Sequence, residues 1–149
     1  MNTQKMKWAL LALVCSSTML FSCKKDPVVP APDCSISMSN LSGSYKLTAL
    51  QYKANATAVA VDYLAFMDAC EKDDIVILKS NGTYEYNDAG TTCTPNGTDN
   101  GTWSLNGSTL NSDGTMNGTI VSYDCKTLIY YAQDIYKSGD KLTFTMVKQ

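Results

Sequence analysis

Two cysteines lie at equal distances from one Asn-Gly pair, and this spacing constrains the fold more than any other feature of the chain. In the stretch CEKDDIVILKSNGTYEYNDAGTTC, Cys70 lies eleven residues before Asn81 and Cys93 lies eleven residues after Gly82. Asn-Gly between β-prone runs is a strong signal for a β-hairpin. Folding the chain there brings the cysteines opposite one another or one residue out of register, within the roughly 4.4–6.8 Å that a disulfide needs between Cα atoms. We therefore expect a Cys70–Cys93 disulfide.

The same hairpin has two candidate registers. A two-residue turn at Asn81-Gly82 would group one set of side chains on a single face: Ile75, Ile77, Tyr84 and Tyr86, with Lys79 beside them. A three-residue loop over residues 80–82, with Gly82 in the left-handed region, would instead group a second set: Val76, Leu78, Tyr84 and Tyr86. A one-residue slip moves every side chain between core and solvent. We favour the three-residue loop, because it sends Lys79 and Glu85 to solvent together.

The first 22 residues are typical of a secretory signal peptide. Lys5 and Lys7 precede WALLALVCSSTMLF, an apolar run of 14 residues, which is too short to cross a hydrocarbon core of roughly 30 Å as a helix. The run leads into LFSC, which resembles a bacterial lipobox with the small Ser22 before Cys23. We therefore expect export, cleavage after Ser22 and attachment of lipid, palmitate included, to Cys23.

A proline-rich tether follows the expected lipid site. Residues 24–33, KKDPVVPAPD, contain three of the four prolines in the chain, and such segments are extended at ~3.1 Å per residue, a reach of roughly 30 Å. Since more than one acyl chain holds a protein firmly, we expect a stable anchor in the bacterial outer membrane, on either its periplasmic or its cell-surface face. The chain then divides into a signal peptide (1–22), a lipidated cysteine with its tether (23–40) and a folded domain (41–149), which we expect to be monomeric.

Two further cysteines, Cys34 and Cys125, bring the number in the expected mature chain beyond the lipid site to four. An even number in an exported chain indicates disulfides. With the Cys70–Cys93 pair assigned, elimination leaves Cys34–Cys125, which would tie the end of the tether to a late strand. No CxxC spacing accompanies these cysteines, so we expect neither a metal site nor a reactive thiol.

The chain contains no arginine and no histidine, and this composition argues against several function classes. Without histidine there is no Ser-His-Asp triad, no Cys-His dyad and no imidazole ligand for zinc. Arginine dominates base and phosphate recognition, and no basic patch stands out. Beyond residue 22, ten lysines face fourteen acids, a net charge of about −4. We therefore expect no enzyme, no cofactor and no nucleic-acid partner.

Short β-prone stretches separated by Gly, Asn, Ser and Asp follow one another from residue 43 onward, which is typical of an all-β sandwich or barrel. The first, residues 43–53, would place three side chains on one face: Tyr45, Leu47 and Ala49. Residues 58–70 are apolar, and their second half is compatible with a short helix near 62–69. The last stretch, KLTFTMVKQ, places three others on one face: Leu142, Phe144 and Met146. About eight antiparallel strands fit, and eight strands close into a barrel with room for side chains or one small ligand.

Asn-Gly-Thr and Asn-Gly-Ser triplets punctuate these stretches, at Asn81, Asn96, Asn100, Asn106 and Asn117. We interpret all five as turns, because Asn and Gly readily supply positive φ. At the fourth, a two-residue Asn106-Gly107 turn would place three apolar side chains on one face: Trp103, Leu105 and Leu110.

Together these stretches resemble the lipocalin-like domain lipoproteins of Gram-negative bacteria. LSGSYKLTAL (41–50) is similar to the opening G-x-W strand of that family, CEKDDIVILKSNGTYEY (70–86) to its first hairpin, GTWSLNGSTL (101–110) to its second, and KLTFTMVKQ (141–149) to its closing strand. The resemblance implies an up-and-down β-barrel with an apolar internal pocket. The chain departs from the family at Tyr45, where tryptophan is usual, and it has no arginine to stack across the closed end of the barrel.

Two functions follow from such a fold, and both stay open. The first is a membrane-anchored binding module for a small hydrophobic ligand, with a candidate lining of apolar and aromatic side chains: Leu78, Tyr84, Tyr86, Trp103, Leu105, Tyr130, Leu142 and Phe144. Tyrosine hydroxyls would supply the few polar groups that a pocket needs. The second is a structural or protein-interaction lipoprotein with a filled barrel, marked by a contiguous exposed aromatic patch.

Four acids lie just before and at the start of the central hairpin: Asp68, Glu71, Asp73 and Asp74. Carboxylate oxygens are the ligands that calcium prefers, and paired carboxylates can perform acid–base chemistry. Acids beside a loop are ordinarily solvated, however, so calcium is kept as a secondary candidate and no catalytic residue is expected.

Overall fold

The folded domain contains nine strands, one short helix and one 3-10 turn within the part of the chain that the structure describes. This computed structural model describes residues 32–113 and 116–149. In chain order its elements are α1 (Met38–Leu41), β1 (Gly43–Lys53), β2 (Val61–Asp62), the 3-10 turn (Leu64–Phe66), β3 (Ile75–Leu78), β4 (Thr83–Asn87), β5 (Asp99–Asn106), β6 (Thr109–Ser112), β7 (Met116–Tyr123), β8 (Thr127–Gln133) and β9 (Lys141–Lys148). The expected signal peptide and Cys23 lie outside the described residues. None of the helices in the described ranges has the length and apolar character to cross a membrane.

Eight of the strands close into one antiparallel barrel. Each strand from β3 to β9 pairs with the next, and β1 pairs with both β3 and β9, which joins the two sides of the sheet. Strand β2 only extends the sheet beside the end of β1, where Val61 lies opposite Tyr52. The predicted all-β, up-and-down barrel is therefore confirmed, and the 3-10 turn falls within the segment 62–69 where a short helix was expected.

Strand β1 contains a bulge that its sequence pattern does not reveal. Leu47 lies opposite Met146, but Ala49 lies opposite the adjacent residue of β9, so Thr48 is an extra residue. A bulge bends and twists its strand, and β1 must pair with β3 at its start and with β9 along most of its length. The predicted alternation is therefore wrong after Leu47, because Leu50 is buried in place of Ala49.

Hairpin β3–β4 has the three-residue loop that the sequence favoured. The pairs that share its inner face are Val76 with Tyr86 and Leu78 with Tyr84. The Lys79 N–H donates to the Thr83 carbonyl at 2.9 Å, and Gly82 closes the loop with a φ of 85°. On the outer face Lys79 forms an ion pair with Glu85. The expectation that both charged side chains face solvent therefore identified the correct register.

The turn of the next hairpin, β5–β6, is shifted by one residue from its predicted position. Asn106 pairs with Thr109, so the two-residue turn is Gly107-Ser108. Gly107 has a φ of 58°, which suits the first central position of a primed hairpin turn. The shift moves each cross-strand partner by two residues, so the predicted apolar side chains still share one face: Trp103, Leu105 and Leu110.

Three of the five Asn-Gly triplets are not turns, which corrects the sequence interpretation. Asn96-Gly97 lies in the irregular connection before β5 without a positive φ at Gly97, and the other two triplets lie inside strands. Gly101 lies inside β5 and Gly118 lies inside β7. Each glycine lies where another side chain comes close. A Cβ atom at Gly118 would be 2.8 Å from Tyr130 Cδ2, and one at Gly101 would clash with the Asp113 carboxylate. These glycines allow close approach rather than a left-handed turn.

Helix α1 closes one end of the barrel, called here the helix-capped end. Ser37 caps the helix by accepting a hydrogen bond from the Asn40 N–H at 3.2 Å. Leu41 is fully buried in an apolar cluster with residues of six strands: Tyr45, Leu78, Trp103, Ile120, Leu128 and Met146. The described end of the expected tether, residues 38–40, is therefore part of this helix.

Both predicted disulfides are confirmed. Cys70–Cys93 joins the loops that flank hairpin β3–β4, with Cα atoms 5.3 Å apart. Cys34–Cys125 joins the segment before α1 to the β7–β8 turn, with Cα atoms 4.9 Å apart. The second bridge fixes the chain where it enters the folded domain, at the helix-capped end.

Candidate functional site

A cavity of about 440 Å³ lies inside the barrel, within the range of roughly 300–1,000 Å³ that small-molecule sites occupy. The helix-capped end carries the short β3–β4, β5–β6 and β7–β8 turns, whereas the opposite end carries the longer connections 54–74, 88–98 and 134–140. The lining reaches Met67 and Gly97 in two of these connections. This end is therefore the mouth of the cavity.

The deep part of the cavity is apolar. Leu78, Leu128 and Met146 are buried and line it next to the helix-capped end, together with Trp103. The indole Nε1 of Trp103 donates to the Lys79 carbonyl at 2.9 Å, so the one polar atom of that side chain is already satisfied. A ligand would therefore meet hydrocarbon and aromatic surface here.

One wall of the cavity is a stacked pair of rings. Tyr130 on β8 and Phe144 on β9 lie side by side, with centroids 4.7 Å apart and planes 5° from parallel. Gly118 on β7 lies against the Tyr130 ring, and the absence of a side chain there gives the ring its space. The wall is consequently flat and aromatic.

The Tyr130 hydroxyl has no hydrogen-bond partner among residues 32–113 and 116–149. Burial raises the pKa of Tyr130 well above its ordinary value. A hydroxyl can both donate and accept a hydrogen bond, and Tyr130 lines the cavity. The Tyr130 hydroxyl is therefore available to a ligand or to water inside the barrel.

Nearer the mouth, a buried carboxylate holds another tyrosine of the lining. Asp74, only 7% exposed, accepts the Tyr86 hydroxyl at 2.7 Å and the Ala89 N–H at 3.1 Å. Burial raises the pKa of Tyr86, and the hydrogen bond to Asp74 and the negative charge of Asp74 raise it further. The Tyr86 hydroxyl thus stays protonated as a donor, and its ring orientation is fixed.

A second tyrosine–carboxylate pair lies beside the first. The Tyr84 hydroxyl donates to Asp113 Oδ2 at 2.6 Å, and the Thr102 N–H donates to Asp113 Oδ1 at 2.7 Å. The hydrogen bond to Asp113 raises the pKa of Tyr84, and the same bond lowers the pKa of Asp113. Two tyrosines on the inner face of β4 are therefore held by acids from other elements.

The mouth is acidic. Three carboxylates belong to the lining, from Glu71, Asp74 and Asp99, whereas none of the lysines in the described ranges does. Over the same ranges the ion pair found is Lys79–Glu85, on the outer face of the barrel. The negative charge at the mouth is consequently not neutralised by a lysine of the described chain.

Six of the eight residues proposed from the sequence as ligand-binding are brought together in the lining: Leu78, Tyr84, Tyr86, Trp103, Tyr130 and Phe144. Leu105 and Leu142 are not in it. Leu105 packs against the core cluster at the helix-capped end, and Leu142 is buried at 7% exposure. Ligand binding by the six stays a prediction.

The sequence interpretation missed several lining residues: Tyr45, Leu47, Leu50, Val76, Leu110, Gly118, Leu128 and Met146. Met146 and Val76 carried a usable signal, because each shares a strand face with a predicted residue. Leu50 carried none, since the bulge at Thr48 brings it inward. Gly118 was assigned to a turn, and only its neighbour Tyr130 identifies its role.

Three of the four acids considered for calcium have carboxylates that already accept hydrogen bonds from the protein. Glu71 Oε2 accepts the Asp68 N–H at 2.8 Å, Asp73 Oδ2 accepts the Thr91 N–H at 2.9 Å, and Asp74 holds Tyr86. Across the described ranges no group of three or more acidic, cysteine or histidine residues has the arrangement of a metal site. The structure therefore gives the calcium hypothesis no support.

Comparison with protein-family models matches residues 41–144 to the Lipocalin-like domain. Comparisons with curated proteins and with solved structures found no match. The matched segment runs from the last residue of α1 into β9, and it includes seven of the eight barrel strands in full and the first half of the eighth. The chain therefore belongs to the lipocalin-like domain family.

Proposed function

We propose that the barrel binds a small, largely apolar ligand in its cavity, and that the protein is a lipoprotein anchored through Cys23. The observation that carries the binding function is the cavity itself. An eight-stranded barrel has space either for its own side chains or for one small ligand, and this barrel keeps about 440 Å³ unfilled.

The composition of the cavity supports the same function. Ligand sites combine apolar walls with a few fixed polar groups. Here Leu128, Met146 and the Tyr130–Phe144 stack form the walls, and the Tyr130 hydroxyl and the carboxylates of the mouth supply the polar groups. The proposed role is binding rather than catalysis.

The proposed anchor rests on the sequence before the barrel. The LFSC stretch that ends at Cys23 and the proline-rich residues 24–33 suit a lipidated cysteine and its tether. The Cys34–Cys125 bridge brings the chain into the domain at the helix-capped end, opposite the mouth. A monomeric lipoprotein in the outer membrane of a Gram-negative bacterium fits this arrangement, and the mouth would then be free to exchange ligand.

An exposed aromatic cluster supports a second candidate function, interaction with another protein. The Tyr52 ring lies 4.9 Å from that of Tyr63 and 5.6 Å from that of Tyr136, and Tyr63 lies 5.9 Å from Phe66. Phe66 is 75% exposed and Tyr136 is 63% exposed. Large exposed apolar patches mark interaction sites, so this cluster beside the mouth would be the contact surface.

Titration with N-phenyl-1-naphthylamine, a neutral dye that fluoresces in apolar surroundings, tests the binding function. We expect saturable fluorescence with the purified full chain. Val76→Phe adds a ring on the cavity wall and should weaken dye binding about tenfold or more, because it fills the site. Val121→Phe is the matched control, since Val121 is exposed on the outside of the barrel.

The outcomes separate the two candidate functions. Saturable binding that Val76→Phe weakens and Val121→Phe preserves supports the cavity site. Binding that neither change affects would place the dye elsewhere and overturn the proposal. No saturable binding at all would leave the interaction role of the aromatic cluster as the better explanation.

A further inference from the structure

We infer that the ligand of this cavity carries a positively charged head group on an apolar body, an inference that rests on the proposed binding function. The polarity of the lining changes with depth. Hydrocarbon from Leu78, Leu128 and Met146 lies deepest, and the acids lie at the mouth. A ligand that fills this space has its apolar part inside and its polar group near the carboxylates.

The carboxylates of the mouth lack a cationic partner within the described chain. Asp74 has both oxygens occupied by neutral donors, the Tyr86 hydroxyl and the Ala89 N–H. Glu71 and Asp99 each accept one backbone N–H, from Asp68 and from Asn100. Since these bonds leave the negative charge in place, a cation entering the mouth would supply the missing counter-charge.

The tyrosines next to these acids add a second attraction for a cation. Aromatic faces attract ammonium groups, because the face of the ring is electrostatically negative. Tyr86 lines the cavity, and its hydroxyl is fixed by Asp74. Tyr84, two residues earlier on β4, lines the cavity from the same face of the strand. The pKa of Tyr86 is raised first by burial and by the hydrogen bond to Asp74, and further by the negative charges of Glu71 and Asp88. The electrostatic potential beside the Tyr86 hydroxyl is therefore negative.

A fatty acid fits this cavity poorly at its head. Its carboxylate would meet three carboxylates of the lining and no lysine, and like charges brought together cost free energy. A neutral head avoids this repulsion but gains no attraction. For one chain length we therefore expect affinity to fall from the cation to the neutral alcohol to the anion.

Three probes with the same ten-carbon chain test the inference: decyltrimethylammonium, 1-decanol and decanoate. Each displaces N-phenyl-1-naphthylamine from the full chain, or changes the fluorescence of Trp103 in a Trp8→Phe background. That background leaves Trp103, which lines the cavity, as the only tryptophan. We expect decyltrimethylammonium to bind about tenfold or more tightly than decanoate, and salt to reduce the difference by screening.

A matched pair of variants assigns the effect to the mouth. Glu71→Gln removes one negative charge from the lining. It should weaken the binding of decyltrimethylammonium about three- to tenfold and leave the affinity for decanol unchanged. Glu85→Gln removes the same charge from the outer face, where Glu85 pairs with Lys79, and should change neither affinity. Both positions are at the surface, so thermal unfolding of each variant should match the parent closely.

Failure of the inference and failure of the binding function give different results. If decanol and the dye bind but decyltrimethylammonium binds no more tightly than decanoate, the head-group inference is overturned and the apolar site remains. An equal loss of decyltrimethylammonium affinity in Glu71→Gln and Glu85→Gln also overturns it, because the affinity would then depend only on the net charge of the protein. If no probe and no dye binds, the proposed binding function fails instead.

Discussion

Lys148 lies over the ring of Tyr45, with its Nζ 5.6 Å from the ring centroid. The same ammonium group donates to the Asn40 carbonyl at 2.7 Å and to the Tyr123 hydroxyl at 2.9 Å. One side chain thus joins β9, β1, β7 and the helix that closes the barrel. The chain contains no arginine, and here Lys148 stacks across the closed end of the barrel against the ring of Tyr45 in the opening strand.

Lys148→Met should therefore destabilise the barrel. The change keeps most of the apolar stem but removes the charge over Tyr45 and both hydrogen bonds, and groups left unpaired in a partly buried site cost about 1–3 kcal/mol. Urea unfolding should show this loss. Lys126→Met is the control, because Lys126 is exposed in the β7–β8 turn; equal stability of the two variants would contradict the role given to Lys148.

Gly43→Ala should be destabilising at the same place. Gly43 has a φ of 148°, and an added Cβ would lie 2.5 Å from Lys148 Cε, so both backbone strain and a clash arise. We expect a loss of about 1–3 kcal/mol. Gly139→Ala is the comparison, since Gly139 also has positive φ, 84°, but nothing lies within 4 Å of the position that the added methyl group would occupy. We expect the larger loss of stability in Gly43→Ala, where strain and the contact with Lys148 act together, and an equal loss in the two variants would contradict a clash with Lys148.

The features that the sequence predicted correctly are those decided by nearby residues. Alternation around Asn81-Gly82, together with the outward charges of Lys79 and Glu85, was enough to choose the hairpin register. The equal spacing of Cys70 and Cys93 depends on the same turn. The bulge at Thr48 could not be predicted this way, because it depends on the pairing of β1 with two strands distant in sequence.

The candidate site was predicted in part for a similar reason. Strand alternation says which face a side chain occupies but not how deep it lies in the barrel. Leu105 shares its face with Trp103, yet only Trp103 lines the cavity. Gly118 has the same local sequence as a turn, and its position under Tyr130 depends on a neighbouring strand.

Asp140 organises the loop between β8 and β9. Its carboxylate is fully buried and accepts the N–H groups of Ile135, Tyr136 and Lys137 at 2.8–3.0 Å and the Tyr52 hydroxyl at 3.2 Å. Burial acts to raise the pKa of Asp140, but these hydrogen bonds outweigh it, so the pKa lies below its ordinary value. The ionised carboxylate is therefore the form that the fold prefers.

This preference gives stability a definite pH dependence. Because the folded pKa of Asp140 is below the unfolded value of about 3.9, its contribution is present above that value and is lost as pH falls through the folded pKa. Asp140→Asn should therefore reduce the melting temperature more at pH 7 than at pH 2.5. Asp68→Asn, at an exposed position, is the control, and a loss in Asp140→Asn that does not depend on pH would contradict this role.

Loss of the Cys34–Cys125 bridge should cost more stability than loss of Cys70–Cys93. The first spans 91 residues and the second 23, and a longer closed loop restricts the unfolded chain more, by about 1 kcal/mol for this ratio. We expect about 2–5 kcal/mol for each pair. Guanidinium unfolding of Cys34→Ser/Cys125→Ser and Cys70→Ser/Cys93→Ser compares them directly, and a larger loss in the second variant would contradict the loop argument.

Cys23→Ser should abolish lipid attachment. The LFSC stretch places Cys23 after a small residue at the end of the apolar run, where an exported lipoprotein acquires its acyl chains. Cells that express the full chain and are fed an alkyne-labelled palmitate should yield labelled protein in the membrane fraction. Cys15→Ser is the matched control, since Cys15 lies within the apolar run, and it should keep the label. Label that persists in Cys23→Ser would remove the proposed anchor, and the tether of residues 24–33 would then need another explanation.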